Sequence, residues 1–126
     1  MYILGSTFVV LLVLLFLVAF KVTGSSEVES SIDGCTPYNV VIERGENEFQ
    51  AVIKWLTKDT CTSFISYGTD RNNLNLIAVG DDVNTKKHTV AIDKLLTYKT
   101  YYFLINSESQ DYGIGGMALS FTLNSL

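Results

Sequence analysis

Beyond residue 36 the chain alternates apolar and polar residues in short runs that end at turn residues. These runs cover residues 37–43, 48–57, 63–68, 74–80, 86–93, 94–107 and 117–123. A period of two places alternate side chains on one face of a strand, and no run in this part has a convincing 3.6-residue helical period. The pattern predicts an all-β domain of seven short strands, which is typical of a β-sandwich.

The same alternation predicts which side chains face the core and which face outward. The expected core residues are the apolar residues that recur on one face of each run, namely Ile53, Trp55, Ile65, Val90, Ile92, Leu95, Tyr101, Phe103 and Phe121. Apolar residues that fall on the opposite faces form the candidate contact surface, namely Val52, Leu56, Tyr102 and Leu104, with Val41 and Phe64 as further members. Tyr112 and Ile114, in the Gly-rich segment 106–116, complete these candidate contacts.

The N-terminal segment follows a different pattern. Residues 1–20 carry no charge and residues 8–20 are wholly apolar, which is enough for a helix that spans about 30 Å of hydrocarbon. Three interpretations stay open: a signal peptide cleaved after Gly24, a retained membrane anchor, or a processed pilin-like helix that drives assembly. We therefore expect a hydrophobic helix at 1–23, a Ser/Glu-rich linker at 24–36 and one sandwich domain at 37–126.

Charge and candidate chemistry narrow the functional classes. Nine Lys and Arg residues against thirteen Asp and Glu residues make the chain acidic and leave no basic cluster, so nucleic-acid binding is not expected. His88 is the only histidine, and its mid-strand position on the inward side favours a packed side chain over a general base. The sequence predicts no catalytic site, metal site or cofactor.

The residues from Pro37 to Leu123 resemble a fibronectin type III domain. The resemblance rests on "VIKW" (52–55), "SFISYG" (63–68), "HTVAIDKL" (88–95), "YYF" (101–103) and "SFTL" (120–123), in that order and spacing. It implies a seven-stranded, immunoglobulin-like sandwich with a conserved corner tyrosine between the fifth and sixth strands.

The family stretch that contains the corner tyrosine can be aligned with this sequence in two registers. The family stretch Leu-x-Pro-x-Thr-x-Tyr matches by letter when it starts at Leu96 and ends at Tyr102, but that register buries Asn106 and exposes Phe103. Starting at Leu95 buries Tyr101 and Phe103 instead. Burying an unpaired amide costs a few kcal/mol, and exposing a large apolar side chain forfeits about 1.5–3 kcal/mol. Alternation therefore favours Tyr101, with its hydroxyl bonded to backbone a few residues upstream.

The two cysteines depart from the resemblance, because such domains usually lack disulfides. Cys35 precedes the first predicted strand, and Cys61 lies in the loop expected after the second. The antiparallel order places both at one end of the domain, where a bridge closing about 26 residues adds on the order of 3 kcal/mol. Such a bridge indicates an oxidising, extracellular environment; two separate thiols in a reducing compartment are the alternative.

An apolar N-terminal helix followed by a sandwich head is similar to archaeal type IV pilins. That resemblance implies a homo-oligomeric filament at the cell surface, with a membrane location before assembly. The helix would pack through Ile3, Leu4, Phe8, Leu11, Leu12, Leu15, Phe16 and Phe20. The alternative is a membrane-anchored or secreted fibronectin type III-like module that binds a protein or glycan. Both hypotheses predict a non-catalytic, displayed domain.

Overall fold

Seven antiparallel strands build the part of the chain that the computed structural model describes, residues 33–126. In chain order they are β1 (Tyr38–Arg44), β2 (Ala51–Gly68), β3 (Leu76–Ala78), β4 (Asn84–Ile92), β5 (Thr100–Ser107), β6 (Gln110–Tyr112) and β7 (Leu119–Thr122), and a 3₁₀ turn (Leu123–Ser125) follows. No helix within these residues is long and apolar enough to cross a membrane. The eight predicted helix-packing residues, from Ile3 to Phe20, lie outside the described part.

The strands form two sheets that share β2. Sheet A contains β1, the first part of β2 and β4, while sheet B contains the last part of β2 with β3, β5, β6 and β7. The pairing of β2 with β4 continues to Thr62, and its pairing with β5 begins at Ser63. One strand therefore passes directly from the first layer to the second.

A single hydrophobic core fills the space between the sheets. Sheet A contributes Ala51, Ile53, Trp55, Val90 and Ile92; sheet B contributes Ile65, Tyr101, Phe103, Ile105 and Phe121; Leu95 and Leu123 close the end opposite the disulfide. All nine predicted core residues lie in this cluster. The period-two pattern works here because each strand has one face on the core and one on solvent.

The predicted break between the second and third strands is wrong. The predicted strands at 48–57, from residue 51 onward, and at 63–68 belong to one strand of 18 residues, Ala51–Gly68, with irregular pairing between Leu56 and Cys61. The polar run at 57–60 looks like a turn in sequence, yet it has no Gly, Pro or Asn to enforce one, and its threonines favour extended backbone. As a consequence Cys61 lies within β2 and not in a loop.

The last part of the chain also differs from expectation. Segment 106–116, predicted as one Gly-rich loop, contains the end of β5 and the whole of β6. Glu108 and Ser109 form the tight turn between these strands with φ values of 47° and 66°. The predicted strand at 74–80 shrinks to the three residues of β3, and the predicted strand at 117–123 to the four of β7.

Tyr101, and not Tyr102, is the buried member of the tyrosine pair. Its hydroxyl accepts a hydrogen bond of 2.8 Å from the backbone N–H of Leu96, five residues upstream, and its ring stacks on Phe121 with 5.7 Å between ring centres. Tyr102 is half-buried on the outer face of sheet B. Burial raises the pKa of the neighbouring Tyr67, assisted by Tyr101 and Asp93.

Candidate interaction surfaces

The predicted disulfide is present at the end of the domain where the described chain begins. Cys35 and Cys61 are bonded with 5.8 Å between their Cα atoms, and Cys61 has no exposed surface. Gly34, which precedes Cys35, is held as well, because the N–H of Asp59 donates to its carbonyl over 2.9 Å. Residues 34–35 are thus attached to the sandwich ahead of β1.

The turn between β5 and β6 docks on the same end. Glu108 donates its backbone N–H to the Thr62 carbonyl at 3.0 Å, and its carboxylate accepts from the Thr62 N–H at 2.7 Å. Within residues 33–126 one set of three metal-ligand atoms lies within 4.8 Å, and it consists of Cys35, Cys61 and Glu108. Because both sulfurs are bonded to each other, the set offers a cation only one carboxylate.

His88 is buried beside Trp55. Its ring stacks on Trp55 with 4.9 Å between centres and 3° between planes, and burial lowers its pKa against a smaller opposing effect of Asp82. The hydroxyl of Thr57 donates to the Asp59 carbonyl at 2.8 Å, so its oxygen is left to accept from His88 Nε2 at 3.0 Å. With Nε2 protonated and the ring packed, this arrangement suits a core side chain.

The outer face of sheet A carries three of the predicted contact residues. Val52 and Leu56 are half-buried there and Val41 is exposed. An ion pair of 3.0 Å between Lys54 and Glu43 crosses the face between them. The face is therefore mixed, with apolar side chains on both sides of a solvated pair of charges.

The outer face of sheet B contains a shallow cleft. Its floor is formed by Tyr102 and Leu104, both half-buried as the alternation predicts. The guanidinium carbon of Arg71 lies 5.1 Å from the centre of the Tyr102 ring, within the range of a cation–π contact. The cleft measures about 350 Å³ and is lined chiefly by Arg71, Asn72, Tyr102, Leu104, Met117 and Ser120.

One wall of this cleft is a short hairpin, residues 113–118, which we term the finger. Ile114 and Met117 exchange two backbone hydrogen bonds of 2.9 and 3.0 Å. Between them Gly115 and Gly116 adopt φ values of 59° and 80°, which glycine takes without steric cost. Ile114 is 69% exposed and Met117 65% exposed, so the finger presents two apolar side chains to solvent on an ordered turn.

Gly113 allows the finger to pack closely against the sheet. A Cβ at this position would lie 1.9 Å from the carbonyl oxygen of Met117 and 2.9 Å from Leu104 Cδ2. Tyr112, expected in a loop, lies at the end of β6 and donates its hydroxyl to the Gln110 side chain at 2.9 Å. Of the two predicted loop contacts, only Ile114 is strongly exposed.

The end opposite the disulfide presents apolar side chains that the sequence pattern did not identify as contacts. Phe49, Leu96 and Tyr98 are exposed there, with Tyr98 at 71%, and Phe49 and Leu96 line one shallow depression. The backbone N–H of Leu95 bonds the Phe49 carbonyl at 2.9 Å, which holds the two loops together. All three fall within the predicted runs 48–57 and 94–107, but the structure places them in turns before β2 and β5, where alternation does not indicate exposure.

No protein-family model and no curated protein sequence matches the chain.

Proposed function

We propose that this chain is a non-catalytic structural protein of the cell surface, in which the sandwich is displayed outside the cell and the apolar N-terminal segment drives assembly into a pilus-like filament. The observation that carries the proposal is the Cys35–Cys61 disulfide. Disulfides form and persist chiefly in oxidising environments, and this one joins the end of the linker, at Cys35, to a fully buried position of β2.

The disulfide between Cys35 and Cys61 suits a sandwich domain that is held in a filament by its N-terminus. Tension arriving through residue 34 passes through the bridge to Cys61 in the middle of β2, and not through the hydrogen bonds of edge strand β1. A covalent link does not yield under loads that separate strands. A domain inside a reducing compartment would gain nothing from this link.

We further propose that the sandwich is of the fibronectin type III kind. Supporting this, sheet A has the order β1–β2–β4 and sheet B has the order β3–β2–β5, with β6 and β7 sharing the last edge. The Tyr101 hydroxyl bonded to the Leu96 N–H has the geometry of the corner tyrosine of such domains. Because a sandwich alone does not define a function, this assignment supports display but not a ligand.

Electron microscopy and mass spectrometry test the filament proposal together. Full-length protein, expressed with export and examined by negative stain, should form fibres of uniform width, and its mass should retain the apolar segment. Disulfide-intact protein that stays as separate particles after detergent removal contradicts the proposal. A mature chain that begins at Ser25 contradicts it as well, since the assembling segment would be gone.

A recognition module is the second candidate, and the apolar end formed by Phe49, Leu96 and Tyr98 favours it. The described chain begins at the disulfide end of the domain, and these side chains lie at the opposite end. They therefore remain accessible when the domain is tethered by its N-terminus. Clusters of this kind mark contacts with proteins or glycans. Monodisperse, detergent-dependent particles would favour this candidate. Its further test is adhesion of the full-length protein to cells or glycan surfaces, which Tyr98→Ser should abolish and Lys58→Ser should not.

A further inference from the structure

The cleft on the outer face of sheet B is lined by four side chains whose hydrogen-bonding groups are open. Tyr102 on β5 and Ser120 on β7 are cross-strand partners, and Arg71 and Asn72 reach the cleft from the turn that follows β2. No hydrogen bond within residues 33–126 uses the side chain of any of these four; Asn72 contributes only its backbone N–H, to Asp70. Polar groups that converge on one concavity in this way are typical of a site for a polar ligand.

Arg71 gives the cleft a positive charge. The one ion pair within residues 33–126 lies on sheet A, so no carboxylate of this part of the chain neutralises the guanidinium. The nearest carboxylate in sequence, that of Asp70, accepts the Asn72 N–H at 3.0 Å and does not line the cleft. The contact of the guanidinium with the Tyr102 ring orders the cation without using an acceptor, so its N–H donors stay open. A carboxylate can accept two parallel hydrogen bonds from such a group.

The rest of the lining suits the ring of a sugar. Leu104 on the floor and Met117 on the finger provide apolar surface, while the hydroxyl and amide groups beside them can both donate to and accept from hydroxyls. The cleft volume of about 350 Å³ lies at the small end of ligand pockets, which measure about 300–1,000 Å³. A small ligand with one acidic group and several hydroxyls therefore matches the cleft in size and in chemistry.

The charge of the cleft favours this ligand over other anions. A phosphate group carries about −1.5 to −2 charges at neutral pH and is usually bound by a cluster of cations, whereas a single guanidinium lines this cleft. An acidic peptide side chain would pair with the guanidinium but would leave the amide and the two hydroxyl groups without ligand partners. A sugar ring with one carboxylate uses all four side chains.

We propose that this cleft binds an acidic sugar, a sugar ring that carries one carboxylate, as uronic and sialic acids do. Arg71 binds the carboxylate, the amide and hydroxyl groups beside it bond the ring hydroxyls, and Leu104 and Met117 contact the apolar surface of the ring. The site lies within the sandwich and does not depend on assembly of a filament. It is also distinct from the apolar end of the domain formed by Phe49, Leu96 and Tyr98.

Retention of full-length protein on glycan-coated beads tests the site. Beads that carry polygalacturonate or polysialic acid should retain the protein, and beads that carry fully methyl-esterified polygalacturonate, which lacks the charge, should not. Arg71→Gln should raise the amount of acidic glycan needed to retain half of the protein at least about tenfold, because the hydrogen bonds to a charged group are lost. Lys87→Gln is the matched control: it removes one exposed positive charge from sheet A and should leave retention unchanged. Fluorescence of the buried Trp55 verifies folding.

The results that would overturn the proposal are distinct. They are retention on neither acidic glycan, equal retention on charged and esterified beads, and equal losses in Arg71→Gln and Lys87→Gln. Equal retention on polyglutamate beads would show that a carboxylate alone is bound and would overturn the assignment to a sugar. Tyr98→Ser should retain binding, since Tyr98 does not line the cleft. If Tyr98→Ser loses binding and Arg71→Gln keeps it, the glycan binds at the apolar end and not in the cleft.

Discussion

Reduction of the Cys35–Cys61 bridge should destabilise the domain by several kcal/mol. The bridge encloses 26 residues of separation, for which the chain-entropy relation gives about 12 cal/mol/K, or about 3.5 kcal/mol at 25 °C. Small domains have about 5–15 kcal/mol of unfolding free energy in total. The bridge therefore accounts for a large fraction of the stability of this domain.

Reduction is a better perturbation than substitution at this site. Cys61 has no exposed surface, so Cys61→Ser would bury a hydroxyl and add its own desolvation cost to the loss of the bridge. Reduced and oxidised wild-type protein differ only in the cross-link. Cys35→Ser, at the half-buried partner, serves as the control and should match the reduced protein within about 1 kcal/mol.

Urea unfolding followed by tryptophan fluorescence measures the difference. The chain has one tryptophan, Trp55, and it is buried in the core, so its emission reports the unfolding of the sandwich alone. With a slope of about 1–3 kcal/mol per molar urea, the midpoint should fall by roughly 1–3 M on reduction. If the unfolding free energies of the reduced and oxidised proteins agree within about 1 kcal/mol, the bridge does not stabilise the domain by restricting the unfolded chain.

Three further predictions concern single side chains. Tyr101→Phe leaves the Leu96 N–H without its partner and should cost about 1–3 kcal/mol in urea unfolding, whereas Tyr102→Phe should cost less than about 0.5 kcal/mol; the reverse order would refute the register. Gly113→Ala places a Cβ against the Met117 carbonyl and should speed amide hydrogen exchange in the finger at least about tenfold. Unchanged exchange would show that close packing at Gly113 does not hold the finger in place. Because the pKa of His88 is lower in the folded protein, the unfolded chain binds a proton more readily at this residue, and the unfolding free energy should fall as the pH drops below about 6.5. His88→Gln should remove this pH dependence. If the unfolding free energy of the variant still falls with pH above pH 5, another group is responsible.

Alternation along the strands predicts the core because burial on one face imposes a period of two. It separates Tyr101 from Tyr102 for the same reason, although the letters of the motif favour Tyr102. Phe49 shows the limit of this rule: it precedes β2 by two residues and continues the inward series of Ala51 and Ile53, yet it is exposed. The chain has already left the sheet at that point, and alternation carries no information about where a strand ends.

The turn between β5 and β6 was not predictable from residue types. Glu108 and Ser109 adopt positive φ values, a conformation for which glycine or asparagine is the usual signal. The contacts of Glu108 with Thr62 are made across 46 positions of sequence, and such tertiary contacts offset the local cost of the backbone conformation. The same dependence on distant partners explains why residue types alone predict a loop where the structure has β6.

The passage of β2 from one sheet to the other has a consequence for local unfolding. In a sandwich whose layers are joined only by flexible loops, one layer can open while the other keeps its hydrogen bonds. Here β2 is paired in sheet A at residues 51–56 and 61–62 and in sheet B from Ser63 onward, so neither layer loses its central strand without straining the other. Amide exchange at these paired positions of β2 should then occur through global unfolding, at one common free energy. The domain would then respond to heat or denaturant as one cooperative unit.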